Sequence, residues 1–166
     1  MSEAASSLDR ARVLVARGRT EEAVLVLDEV LSADPADEGA LLLLAEVRLE
    51  ARAEAEALAL ARRAAALRPS SAPAHSALAR CLHATGHHDE ALEAATEARR
   101  LLDEGDNRRH AAAVYLTLVW CLREKRLLRE ALAAAEEGLA RVGDAVLAHW
   151  AGTIEEELAA AEREEC

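Results

Sequence analysis

Six histidines, three cysteines and three aromatic residues are the side chains of this sequence whose chemistry could go beyond packing. His83 and His87 are four residues apart and His88-Asp89 follow, a spacing that on one helix could present two imidazoles to a metal. Gly86 lies between them, and a glycine there ends the helix and destroys the shared face. These histidines are therefore read as solvent-facing at a turn. Cys81, Cys121 and Cys166 have no close spacing, which fits neither a zinc site nor a disulfide framework. Cys81 and Cys121 are read as small core residues and Cys166 as an exposed free thiol. The chain has no glycine-rich phosphate loop, no Cys-x-x-Cys, no His-Glu-x-x-His and no Gly-x-Ser-x-Gly. An enzyme is not expected, and neither is a metal or a cofactor.

Recognition remains, and the overall composition narrows it. At 166 residues the default is one compact unit, and 52% apolar with 31% charged residues excludes a disordered tail. Acids exceed bases by 31 to 20, a net charge of −11, so nucleic acid and anionic membrane are not expected partners. The longest purely apolar run, Ala40 to Ala45, is far short of the roughly 20 residues that cross a bilayer. The opening MSEAASSLDR has neither a basic start nor an apolar stretch, so no signal peptide is expected and a reducing cytoplasm is the expected compartment. Phenylalanine is absent, so the core must be built from Leu, Val and above all Ala.

The elements that must position any recognition surface are set by an internal repeat. Ala23, Ala57, Ala91 and Ala131 recur, each flanked by Glu and by Val or Leu, at intervals of 34, 34 and 40 residues. Ala11, Ala45, Ala79 and Val119 keep the same register, as do Pro35 with Pro69 and Gly18 with Gly86. Each period reads as two helices. The first helix runs from about Ala4 to Ala16, Gly18 ends it, and Thr20 caps a second helix over Glu21 to Ala33, which Pro35 stops. The third period repeats the plan: Ser76 to Ala84, Gly86, Asp89 as cap, then Glu90 to Leu102. The second has Arg52 in place of the glycine, making the turn around Ala51 to Ala55 its least secure boundary. Six extra residues, Asp103 to Arg108, read as a lengthened loop or helix end. Helices near Arg109 to Glu124 and Leu128 to Arg141 follow. Gly143-Asp144 then opens a final helix with Leu147, Trp150, Ile154 and Leu158 on one stripe and most of its glutamates off it.

A 34-residue helix-turn-helix unit with a small residue at position 8, alanine at 20 and proline at 32 resembles the tetratricopeptide repeat (TPR). The resemblance implies an all-α, right-handed solenoid of four repeats, about 4–37, 38–71, 72–105 and 112–143, closed by an acidic amphipathic capping helix over 144–166. The aromatic of position 4 is present only as Tyr115; Ser7, Leu41 and His75 replace it elsewhere. Position 32 departs at Asp103 and Gly143. Arg10 holds the large apolar position 7 of the first unit, which implies a loosely packed first helix.

The resemblance further implies that the first helix of each unit lines a concave groove. Its groove-facing positions fall on Leu8, Asp9, Arg12 and Val15, then Leu42, Leu43, Glu46 and Leu49, then Ser76, Arg80 and His83, and finally Leu116, Thr117, Trp120 and Arg123. Trp and Arg are the residue types most enriched at binding hot spots. Leu42 and Leu43 sit on a helix that already has Leu41 and Leu44 for the core. They are read either as a partner anchor or as interior to the stack. The lysine-based clamp with which some family members hold chaperone tails is absent, its places being held by Leu8, Arg12, Leu43, Pro73 and Ala77. The function this implies is a non-catalytic adaptor or scaffold holding a peptide or protein segment in the groove. The alternatives are a small acidic secretion-type chaperone holding a client segment, or a structural subunit that self-associates as a homo-oligomer. Residues 144–166, with seven acids and one arginine, are a second candidate surface.

Overall fold

A computed structural model describes residues 3–102 and 108–164, and among these every element is a helix. In chain order they are α1 (Glu3–Ala16), α2 (Thr20–Ala33), α3 (Glu38–Glu50), α4 (Glu54–Leu67), α5 (Ala72–Ala84), α6 (His88–Arg100), α7 (Arg108–Glu124), α8 (Leu128–Val142) and α9 (Ala145–Glu164). The sequence readings of Asp103 to Asn107 and of Cys166 fall outside the described residues.

Consecutive helices pair as hairpins, and the hairpins stack into the all-α solenoid that the repeat implied. One layer holds α1, α3, α5, α7 and α9, each touching the next in that series. The other holds α2, α4, α6 and α8, each wedged between its own first helix and that of the following unit. The repeated alanines explain how the layers approach. Ala11, Ala23, Ala45, Ala57, Ala79, Ala91 and Ala131 are all buried where helices cross, and a larger side chain there would separate the backbones. Tyr115 fills the space of the fourth hairpin, nearly inaccessible to solvent, its hydroxyl donating to Glu137 Oε1 at 2.8 Å.

The turn inside each hairpin is made the same way four times. A residue with positive φ follows the first helix: Gly18, Arg52, Gly86 and Arg126. The next amide then bonds the carbonyl five residues back, as from Arg19 to Leu14, Ala53 to Arg48, His87 to Leu82 and Leu127 to Leu122. None of the second helices that follow these turns has a side-chain cap. Thr20 accordingly lies inside α2 instead of capping it. The helix-preceding residue is Arg19, whose guanidinium reaches forward to Glu22 at 2.6 Å. Asp89 likewise lies within α6 and pairs with Lys125 instead of capping. The turn at Arg52 is as regular as the glycine ones, and spans only Ala51 to Ala53.

First helices do use caps. Asp37 accepts from the Ala40 amide at 2.8 Å, and Ser71 Oγ accepts from the Ala74 amide at 3.2 Å. Ser71 makes α5 begin at Ala72, a full turn before the Ser76 start expected, with Pro73 tolerated in the first turn where its missing amide is harmless. Asp144 opens α9 by accepting from the Val146 amide at 2.8 Å. The α9 helix then packs on α8 and α7 with Leu147, Ala151 and Ile154 buried. Arg10 is exposed and makes no claim on the core.

Candidate functional site

A groove of about 1060 Å³ runs across the first-helix layer. Its walls are Arg12 and Val15 of α1; Leu42, Leu43, Glu46 and Leu49 of α3; Ser76, Ala77 and Arg80 of α5; and His110 and Ala113 of α7. The helix period explains the set. In α3, Leu41 and Leu44 point into the stack and are buried, while Leu42 and Leu43 take the next face round and are half-buried. Their inner sides pack against the cores of the second and first units respectively, and their outer sides line the groove.

Of the residues singled out in the sequence, the groove brings together Arg12, Leu42, Leu43, Glu46 and Arg80. Leu8 is half-buried against the first-unit core, one methyl lying over Gly39. Ser76 and Thr117 are buried, their hydroxyls 3.3 Å apart between α5 and α7. Leu116, His83, Trp120 and Arg123 lie outside the groove wall. Gly39, Pro73 and Ala113, which do line it, hold equivalent positions near the helix starts and could have been read from the same register. His110 had no such signal.

The groove is electrically mixed. Arg12 pairs with Asp9 at 3.1 Å, both exposed. Arg80 is only 3.8 Å from Glu46, a loose pair that leaves most of its donors free. Glu38 accepts a hydrogen bond from Ser71 Oγ. The site therefore offers two guanidiniums beside a leucine floor, with two carboxylates at its margin.

Beyond it lies an aromatic cluster. The His83 ring stacks on Trp120 at 5.3 Å and 12°, and the His88 ring meets His83 edge-on at 5.2 Å. His83 and His88 are thus half-buried, not solvent-facing; only His87 is exposed, its Nδ1 2.9 Å from Thr85 Oγ1. Trp120 comes from the following unit, 37 residues away, which is why the local spacing hid the contact. His83 Nε2 and His88 Nδ1 are buried and lack hydrogen-bond partners among the described residues. Arg123 reaches α9: its guanidinium lies 5.2 Å from the Trp150 ring centre and grips Glu157. Among the described residues no group of three His, Cys, Asp or Glu could hold a metal. Burial pushes the Cys81 and Cys121 thiols up to about 11, which suits the core role read for them.

Residues 16–98, 83 of the 166, match the model of the family described as anaphase-promoting complex, cyclosome, subunit 3, which is built of TPR-like repeats. The chain belongs to the tetratricopeptide repeat family. Solved TPR structures agree in fold. TTC0263, a thermophilic TPR protein of Thermus thermophilus, superposes with a TM-score of 0.79 at 19% identity, over 93% of this chain and 82% of that one. Pseudomonas aeruginosa PilF gives 0.80 at 20% identity, over 97% and 69%. YrrB, a TPR protein with an unusual peptide-binding site, gives 0.63 at 18% identity, over 92% and 76%. At such identities the likeness is one of fold. No curated protein matches the chain at the sequence level. The TPR fold is an interaction scaffold, and no enzymatic family is indicated. Among the described residues no helix is long and apolar enough to cross a membrane.

Proposed function

We propose that this TPR protein is a non-catalytic adaptor whose groove holds a segment of another protein. The observation that carries the reading is the pairing of half-buried Leu42, Leu43 and Leu49 with the loosely held Arg80 in one wall. Covering the leucines supplies the affinity, since apolar burial is worth roughly 25 cal/mol per Å². Arg80, with Arg12 further along the same face, supplies a preference for a carboxylate, because a guanidinium binds one through two parallel hydrogen bonds. The favoured ligand is a short apolar segment carrying an Asp, Glu or terminal carboxylate. That YrrB has a peptide-binding site on the same fold supports the reading by analogy.

Affinity capture from native lysate tests it, wild type beside a Leu43→Glu, Arg80→Glu variant. A protein retained by wild type and lost by the variant is the expected result. Identical captures by the two forms would remove the groove from the function.

A further inference from the structure

We propose that copies of this chain associate head to tail, the outer face of α1 in one copy lying along the outer face of α9 in the next. Within the stack, the third, seventh and tenth residues of each repeat face the preceding hairpin. They are Ala40, Leu44 and Val47 in α3, Ala74, Leu78 and Cys81 in α5, and Val114, Leu118 and Cys121 in α7. All are buried except the half-buried Leu78. In α1 the same positions hold Ser6, Arg10 and Val13, all exposed, Val13 by 49%. Arg17 lies one turn further and is exposed too. The guanidiniums of Arg10 and Arg17 have no partner among the described residues, unlike those of Arg12 and Arg19.

The far end has the opposite character. While α9 turns Leu147, Ala151 and Ile154 inward, its other face carries Ala148, Gly152 and Ala159 beside Glu155 and Glu156, all exposed. A Cβ at Gly152 would meet nothing within 4 Å. Glu155 and Glu156 have no partner among the described residues, whereas Glu157 is held by Arg123 and Glu162 by Arg129. One end thus offers an exposed valine with two cations unpaired among the described residues, the other a low surface with two anions unpaired among them. The occupant that matches each end in charge and relief is the other end of a second copy. An interface between two different faces is heterologous, and it grows as an open filament unless its rotation closes a ring; the open form is the one proposed. Neither face includes a groove residue, and this association is independent of the groove's ligand.

Sedimentation velocity at fixed ionic strength, from micromolar to near-millimolar chain, tests the proposal. The wild-type average mass is expected to rise continuously with concentration. An Arg10→Glu, Arg17→Glu variant and a Glu155→Arg, Glu156→Arg variant are each expected to stay at monomer mass, with helical content unchanged by circular dichroism. An equimolar mixture of the two is expected to grow again, since every junction once more joins opposite charges. Gly152→Gln, which adds bulk to the open face at no cost to the helix, should also hold the protein at monomer mass. The proposal is overturned by a wild type that remains monomeric or stops at a closed dimer. Charge-reversed variants that grow as wild type does, or a mixture that stays monomeric, would overturn it equally.

Discussion

Arg123 of α7 holds the carboxylate of Glu157 on α9, its Nε 3.0 Å from each oxygen, while the same guanidinium lies over the Trp150 ring. This ties the last helix to α7 and engages Arg123 outside the groove wall. The hydrogen bond from Arg123 holds the Glu157 carboxyl below its ordinary value. A depressed carboxylate stabilises the fold above its unfolded pKa of about 4.3, and that contribution disappears as pH falls through the depressed value. Glu157→Gln should therefore cost about 1 kcal/mol near pH 7, roughly 2–4 °C in Tm, and nothing in strong acid. Thermal melts of both forms across pH 2 to 7, as a rough span of the carboxylate titration, check this. A constant difference over that range would sink it.

Two glycines make opposite demands. A Cβ on Gly138 would sit 2.6 Å from Tyr115 Cγ and 3.0 Å from a Leu147 methyl, so Gly138→Ala overpacks the fourth hairpin and should cost about 1–3 kcal/mol. Gly152 is helical with open space around it, and Gly152→Ala should stabilise by up to about 1 kcal/mol. Denaturant midpoints of the pair should move in opposite directions.

Arg52 has a φ of 61°, where an L side chain is strained by about 1–2 kcal/mol. Glycine does this work at the equivalent Gly18 and Gly86. Arg52→Gly is expected to raise stability by up to about 1 kcal/mol, because relief of strain exceeds the entropy glycine gains when unfolded. A lowered denaturant midpoint would show that the Arg52 side chain contributes more than its backbone costs.

Cys81 and Cys121 are buried, and their thiols are pushed up to about 11. Both should resist a thiol reagent near pH 8 in the native protein and react promptly once it is unfolded. Mass spectrometry of labelled peptides reads the two sites separately. Fast native labelling of either would mean that its hairpin opens readily.

The solenoid was legible because its signals repeat. The alanines of helix crossings recur at a fixed register, and a packing requirement met four times is hard to mistake. Errors arose where a residue type has two uses. Thr20 and Asp89 are good capping residues, but the turns place Arg19 and His87 before α2 and α6, and Thr20 and Asp89 lie within those helices. The groove was partly legible, since Arg12, Leu42, Leu43, Glu46 and Arg80 sit at one register and one wall holds them. Contacts that join different units were not. The stack of His83 on Trp120 and the grip of Arg123 on Glu157 depend on how neighbouring hairpins meet, which no local spacing encodes.

The groove itself is tested most directly with a ligand of known sequence. A peptide selected from a random library on the wild-type protein would be titrated calorimetrically against wild type and against Arg80→Glu. Loss of the carboxylate contact, with repulsion in its place, should weaken binding by about tenfold or more. Equal affinity for both forms, with amide-exchange protection on α9 instead of α3 and α5, would contradict the assignment of this groove as the binding site.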